Sequence, residues 1–229
     1  MNVKLDDRLA AVARQIRSTT HVDIGSDHGG LLVTLLNQGH IKYGIAVEDK
    51  QTPYDNSVRA LAGLPAEVRF GDGLEPIEVG EACSLSICGM GAEHMQDILV
   101  AHPDRIPPRV ILQVFHKSEI LRKWALENCF HLVDDHRTAG KRSFTIMSFV
   151  KSKDTNDPAY VNLNREAALL FGPFALNRQD EQFDDRLRRE EAWWRRLDRL
   201  TPSSAKRLQL IRSVMDDRQL KPLPQRKLS

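Results

Sequence analysis

The sequence predicts a mixed α/β fold, a doubly wound sheet of five parallel strands closed by an antiparallel hairpin, followed by an all-α, coiled-coil-like segment. Three observations predict it. Short apolar runs alternate with amphipathic stretches through the first 128 residues, the rhythm of successive β-α-β units. Two later strand-like runs are joined too closely for a crossover helix and must pair antiparallel. Beyond residue 158 the apolar positions recur every three to four residues, as on helices.

Residues 5–17 open the chain as a helix, capped by Asp6 or Asp7, with Leu5, Leu9, Val12, Ala13 and Ile16 on one face. Strands follow at 21–25, 43–48, 67–71, 83–89 and 109–114, with helices at about 29–38, 52–62, 92–101 and 117–128 between them. His131–Asp135 and Ser143–Val150, linked through Ala139-Gly140-Lys141-Arg142, form the hairpin. Five parallel strands and a terminal hairpin is the order of elements in Rossmann-like class I methyltransferases. Lys151 to Pro158 is polar and reads as a linker. Phe183, Leu187, Glu190, Trp194, Leu197 and Leu200, then Ala205, Leu208, Ile211 and Met215 after Pro202, predict two or three helices packed as an antiparallel pair. The organisation expected is a cofactor domain over 1–152, a helical domain over 159–220 and a basic tail over 221–229.

Charge divides the same way. Residues 151–229 carry 17 Lys+Arg against 12 Asp+Glu, a net of +5, while residues 1–150 carry a net of −3. A near-neutral catalytic domain joined to a module that meets a polyanion accounts for this, as does a solvated basic helical surface. No apolar run approaches the roughly 18 residues of a membrane span, and a cytoplasmic protein is expected. Three cysteines without a C-x-x-C pair exclude a disulfide framework, and Cys83 and Cys88 are expected as buried thiols. The histidines show no metal-ligand spacing, so no metal is expected.

The chemistry lies in the loops after the strands. His21-Val22-Asp23-Ile24-Gly25-Ser26-Asp27-His28-Gly29-Gly30 is a glycine-containing strand-to-helix turn, but its spacing is not G-x-G-x-x-G. Carboxylates at Asp23 and Asp27 would repel a pyrophosphate and suit a cationic, amine-bearing ligand such as S-adenosylmethionine. The plain alternative is a turn capped by Ser26 or Asp27. Glu48, with Asp49 beside it, ends the second strand, where a carboxylate accepts both hydroxyls of a ribose. Gly71-Asp72-Gly73 follows the third strand, where an acid meets the exocyclic amine of adenine. Gly89-Met90-Gly91 follows the fourth. Acid or glycine at the carboxyl ends of four successive strands is where open α/β sheets bind ligands.

Asp23-Ile24-Gly25-Ser26-Asp27-His28, Gly71-Asp72-Gly73-Leu74, Gly89-Met90-Gly91 and Gly172-Pro173-Phe174 together resemble the bacterial tRNA adenine-22 N1-methyltransferase family, over nearly the whole chain. The resemblance implies S-adenosyl-L-methionine as methyl donor, tRNA as acceptor and a C-terminal helical domain that helps to hold the tRNA. It implies cofactor contacts at Asp23, Gly25, Ser26, Asp27, His28, Gly29, Glu48, Asp49, Gly71, Asp72, Gly73, Gly89, Met90 and Gly91. The chain departs from the family at Gln113-Val114-Phe115, where Gln-Pro-Asn is usual, at Gly29-Gly30-Leu31-Leu32, and at Lys141-Arg142-Ser143-Phe144-Thr145.

Asp27, Arg8 and Gln113 are the candidate catalytic residues. Asp27 offsets the positive charge that methylation leaves on adenine, or serves the cofactor alone. Arg8 meets a phosphate or the cofactor carboxylate, or is a solvated helix-face residue. Gln113 hydrogen-bonds the target base, and Phe115 stacks on it or packs in the core. His28 is either a base or a satisfied turn histidine. Trp193-Trp194 reads as core packing in preference to base stacking, on a helix whose Arg186, Arg188, Arg189, Arg195, Arg196 and Arg199 either face phosphates or pair with Asp184, Asp185, Glu190 and Glu191. Methylation of another RNA site or of a small molecule, and cofactor and RNA binding without catalysis, are the alternative functions. A monomer or weak dimer is expected.

Overall fold

The computed structural model describes residues 4–138 and 143–223. The predicted 139–142 connection and the tail from residue 224 lie outside the described residues. One compact unit runs to Ala159 and a second begins at Tyr160.

In the first unit the elements are α1 (Asp7–Gln15), β1 (Thr20–Ile24), α2 (Gly30–Asn37), β2 (Tyr43–Glu48), α3 (Gln51–Leu61), β3 (Ala66–Phe70), β4 (Ser84–Cys88), α4 (Ala92–Ala101), β5 (Arg109–Val114), α5 (Ser118–Glu127), β6 (Phe130–Arg137) and β7 (Thr145–Lys151). They build one seven-stranded sheet of order β3-β2-β1-β4-β5-β7-β6. The five predicted strands pair in parallel, and β7 lies antiparallel to both β5 and β6. This is the expected architecture, with element ends within about two residues of the sequence reading.

Burial explains the order. β1, β2, β4 and β5 are buried along almost their whole length, as strands covered on both faces must be, and their sequences are apolar runs. β3, at one edge, is only part-buried, and β6, at the other, mixes buried with part-exposed positions. α1 is fixed at its start by the Asp6 carboxylate, which accepts from the Leu9 amide at 2.7 Å. Its buried face, Ala11, Val12 and Ala13, joins Leu31, Leu32, Val33 and Leu35 of α2 in one core cluster.

α5 is tied to β6 by an ion pair out of solvent. Arg122 Nε donates to Asp135 Oδ2 at 2.7 Å and Nη2 donates to Oδ1 at 3.1 Å, with both side chains fully buried. The bidentate geometry is what lets two charges be buried together. The expected polar linker after β7 is partly anchored. Asp157 is buried, its carboxylate accepting from the Leu132 and Ala159 amides at 2.7 and 2.9 Å. Of the thiols, Cys83 is exposed, against expectation, because it precedes the first buried residue of β4. Cys88 is half-buried, and desolvation pushes its thiol well above the usual range.

The second unit holds α6 (Arg165–Phe171), α7 (Pro173–Asn177), α8 (Glu181–Trp194) and α9 (Pro202–Asp217). The predicted stripes fall on two of these, α8 and α9, within the expected two or three helices, and α6 and α7 precede them. Gly172 (φ 93°) separates the first two, and Gly-Pro-Phe opens the second helix of the unit. Ala167, Phe171, Phe183, Leu187, Ile211, Val214 and Met215 form its core. α8 stops at Trp194, which leaves Leu197 exposed and off the predicted stripe, and Ala205 is exposed at the start of α9.

Arg122→Met strands the Asp135 carboxylate in an apolar interior and is expected to cost about 3–5 kcal/mol of stability, read from urea denaturation. The double variant R122M/D135L removes both charges and should recover most of that loss.

Candidate active site

The loops leaving β1, β3 and β4 each begin with a glycine whose amide donates to a neighbouring strand. Gly25 N donates to Val47 O at 2.9 Å, Gly71 N to Glu48 O at 3.0 Å, and Gly89 N to Gln113 O at 3.1 Å. Each bond continues the parallel ladder by one residue before the chain turns away. The ends of five strands are thereby held as one rim.

Within it, Gly25, Asp27 and Gly29 all have left-handed backbone (φ 66°, 60° and 65°). Asp27 is a non-glycine residue there, a conformation that costs of order 1 kcal/mol and that aspartate tolerates better than most. A Cβ on Gly25 would collide with Met90 Cε, which places the β1 and β4 loops in contact. A Cβ on Gly89 would lie 3.2 Å from Arg8 Nη1, so α1 also reaches the rim. Arg8 Nη1 donates to Gln113 Oε1 at 2.8 Å, while Gln113 Nε2 is buried with no hydrogen-bond partner among the described residues. A buried amide donor left open is costly.

Two buried carboxylates face this rim. Asp23 and Glu48 are nearly inaccessible, and among the described residues neither has an ion-pair partner. Burial pushes Asp23 up to about 6, against the opposing effects of the Ser86 hydroxyl, the nearby Ser26 hydroxyl and the Arg8 guanidinium. Burial likewise raises Glu48 to about 7, against the Asp27 amide and the Ser57 hydroxyl, which donates at 3.3 Å.

Beneath Asp23 lies a polar chain. Ser86 Oγ donates to Asp23 Oδ1 at 2.6 Å, and His21 bridges Ser84 Oγ (Nδ1, 2.7 Å) and Ser86 Oγ (Nε2, 2.9 Å). Burial pushes the imidazole down to about 3, so it is neutral. Ser86 has spent its proton on Asp23 and accepts from His21 Nε2–H. Nδ1 therefore accepts from Ser84. Every donor in the chain points toward the carboxylate.

Sequence reasoning missed His21, Ser84, Ser86 and Ser57. It also missed Phe70, which ends β3 56% exposed with Tyr54 edge-to-face at 5.8 Å, immediately before Gly71-Asp72-Gly73. An aromatic next to a glycine-acid turn was the available signal. Of the expected residues, the structure brings Arg8, Asp23, Gly25, Ser26, Glu48, Gly89, Met90 and Gln113 to one locus. Ser26 Oγ is buried there without a hydrogen bond. Gly71 and Gly73 hold the β3 loop, and a Cβ on Gly73 would meet Ile98 Cγ2 at 2.9 Å. Gly91 caps α4 beside open space. Asp27 and His28 lie at the rim, 3.4 Å apart and largely in solvent, with His28 Nδ1 also 3.2 Å from Asn56 Nδ2. Asp49 and Asp72 are exposed. Phe115 packs edge-to-face on Phe144 at 6.4 Å in the core cluster. Among the described residues there is no group of His, Cys, Asp and Glu that could hold a metal, and no helix is long and apolar enough to cross a membrane.

A family model described as "TrmK: tRNA (adenine(22)-N(1))-methyltransferase" matches residues 21–218. The chain is 32% identical over 190 residues to the tRNA (adenine(22)-N(1))-methyltransferase of Bacillus subtilis, covering 79% of each. The crystal structure of the B. subtilis M1A22 tRNA methyltransferase TrmK superposes with a TM-score of 0.81 at 28% identity, over 93% of this chain and all of that one. TrmK of M. capricolum in complex with S-adenosyl-homocysteine superposes at 0.75 and 21% identity, over 93% and 98%, a likeness of fold. Rim, unpaired carboxylates and these matches agree: the chain belongs to the TrmK family of tRNA (adenine(22)-N(1))-methyltransferases, which take the methyl group from S-adenosyl-L-methionine.

Proposed function

We propose that the rim holds S-adenosyl-L-methionine and presents N1 of adenine 22 of a tRNA to it. The observation that carries this reading is the pair of buried carboxylates, Asp23 and Glu48, neither in an ion pair among the described residues. Such a pair favours a cationic ligand rich in hydroxyl and amino groups over a diphosphate. Glu48 takes the ribose hydroxyls, Asp72 the adenine amine and Asp23 the amino group. Phe70 offers its exposed ring to the adenine. When bound, S-adenosyl-L-methionine supplies an electrophilic methyl group on a positively charged sulfur.

Adenine N1 is a neutral lone-pair nucleophile and needs no base before attack. Alignment therefore contributes most of the acceleration. Gln113, its Oε1 fixed by Arg8, turns its open Nε2 donor to an acceptor on the base. Methylated at N1, the ring is cationic and its exocyclic amine is acidified. Asp27, held at the rim by its turn, offsets that charge and takes the amine proton. The helical unit from Tyr160 holds the body of the tRNA. A monomer or weak dimer in the cytoplasm fits an enzyme that acts on tRNA.

Labelled S-adenosyl-L-methionine and tRNA from a strain lacking the gene should yield 1-methyladenosine at position 22. Label on another nucleoside, or none, overturns the reading. Asp27→Asn is expected to lower kcat by about 10²-fold with cofactor affinity within a few-fold of wild type, by steady-state kinetics and calorimetry. The pH dependence has a definite sign. Asp23 and Glu48 keep their protons to about 6 and 7, so negative charge appears in the site as pH rises through that window. S-adenosylhomocysteine, whose amine stays cationic, should therefore bind more tightly at pH 7 than at pH 5, and Glu48→Gln should remove the upper part of the rise.

A further inference from the structure

Trp193 and Trp194 end α8 in opposite environments. Trp194 packs against the core of the helical unit, and its Nε1 donates to Glu190 at 3.3 Å. Trp193 is 53% exposed, which overturns the expectation that both rings are core residues. Its ring is fixed edge-to-face on Trp194, with centroids 4.5 Å apart and planes at 75°. An indole is the largest apolar body a chain can bury, and leaving one half in water gives up that burial.

The surroundings say what it suits. Arg189 lies four residues before Trp193 and Arg196 three after. The helical turn continues past the last residue of α8, with Arg195 N donating to Glu191 O at 2.9 Å and Arg196 N to Trp193 O at 3.2 Å. The three side chains therefore lie on one face. Most other cations of the unit are spent on acids: Arg188 on Asp185, Arg195 and Arg212 on Glu191, Arg207 on Glu190, Arg218 on Asp184. Arg189 leans on Asp185 at 3.3 Å from a 75% exposed position. Arg196 and Arg199 are exposed and, among the described residues, carry no ion pair. Asp198 is the one acid between residues 192 and 199.

An aromatic face flanked by exposed guanidinium groups is the chemistry that holds an unpaired nucleotide, the ring taking the base and the arginines its phosphates. We propose that Trp193 is a stacking platform for an unpaired base of the tRNA substrate, with Arg189 and Arg196 on the flanking phosphates. This rests on the reading of the helical unit as the part that holds tRNA.

The test uses the full chain, unmodified substrate tRNA and the variants W193A, W193F and R189Q/R196Q/R199Q. Stacking predicts that W193A binds tRNA about 5- to 100-fold more weakly, with kcat at saturating tRNA and the salt slope unchanged. W193F should retain most of the affinity and lose most of the fluorescence quenching that tRNA produces in the wild type. The triple arginine variant should show a shallower dependence of affinity on salt. W193A binding tRNA as wild type overturns the stacking role. If the arginine variant weakens while W193A does not, the reading of the helical unit stands and the platform falls. If neither changes, both fall. A change of oligomeric state in W193A at unchanged tRNA affinity marks a self-association face and also overturns the proposal.

Discussion

Three glycine amides carry much of the architecture of the site. Gly25, Gly71 and Gly89 each prolong the sheet by one hydrogen bond to the neighbouring strand, and only then does the chain leave the ladder. Two of them, Gly25 and Gly89, turn with left-handed backbone at that point, which is the conformation glycine adopts without a steric penalty. Rigidity of the sheet is thus passed into loops that would otherwise move. A site assembled from four loops gains its alignment from this, because alignment is what a reaction with a good nucleophile needs most.

Electrostatics completes the design. Apart from Asp157, which closes on two backbone amides, the first unit buries carboxylates in two ways. Asp135 is matched at once by Arg122, with two short hydrogen bonds, and serves the fold. Asp23 and Glu48 are buried with hydroxyl and amide donors alone, so each holds its proton to higher pH than an exposed acid. The first arrangement is satisfied without a ligand. The second is satisfied by one.

Much of the fold was legible because it is written in local periodicity. Fully buried parallel strands are apolar runs, α1 carries its cap and its stripe together, and a four-residue connection admits only an antiparallel pair. Candidate site residues were legible where the signal was a loop after a strand. What escaped needed knowledge of which strands are neighbours. His21 meets Ser84 and Ser86 only because β1 lies beside β4, 63 and 65 residues away in sequence. Arg8 reaches Gln113 across 105 residues. Trp193 faces outward because it lies off the buried stripe of α8 that runs through Phe183 and Leu187, a phase that two adjacent tryptophans do not announce.

The serine-histidine chain below Asp23 has a direction. With Asp23 ionised, the order runs from Ser84 through Nδ1, Nε2–H and Ser86 to the carboxylate. A proton placed on Asp23 Oδ1 reverses it: Asp23 donates to Ser86, Ser86 to Nε2, and the imidazole must carry its hydrogen on Nδ1, facing Ser84. The tautomer of a buried, uncharged histidine is then a record, held in the middle of the sheet, of whether Oδ1 of the carboxyl above it carries a proton.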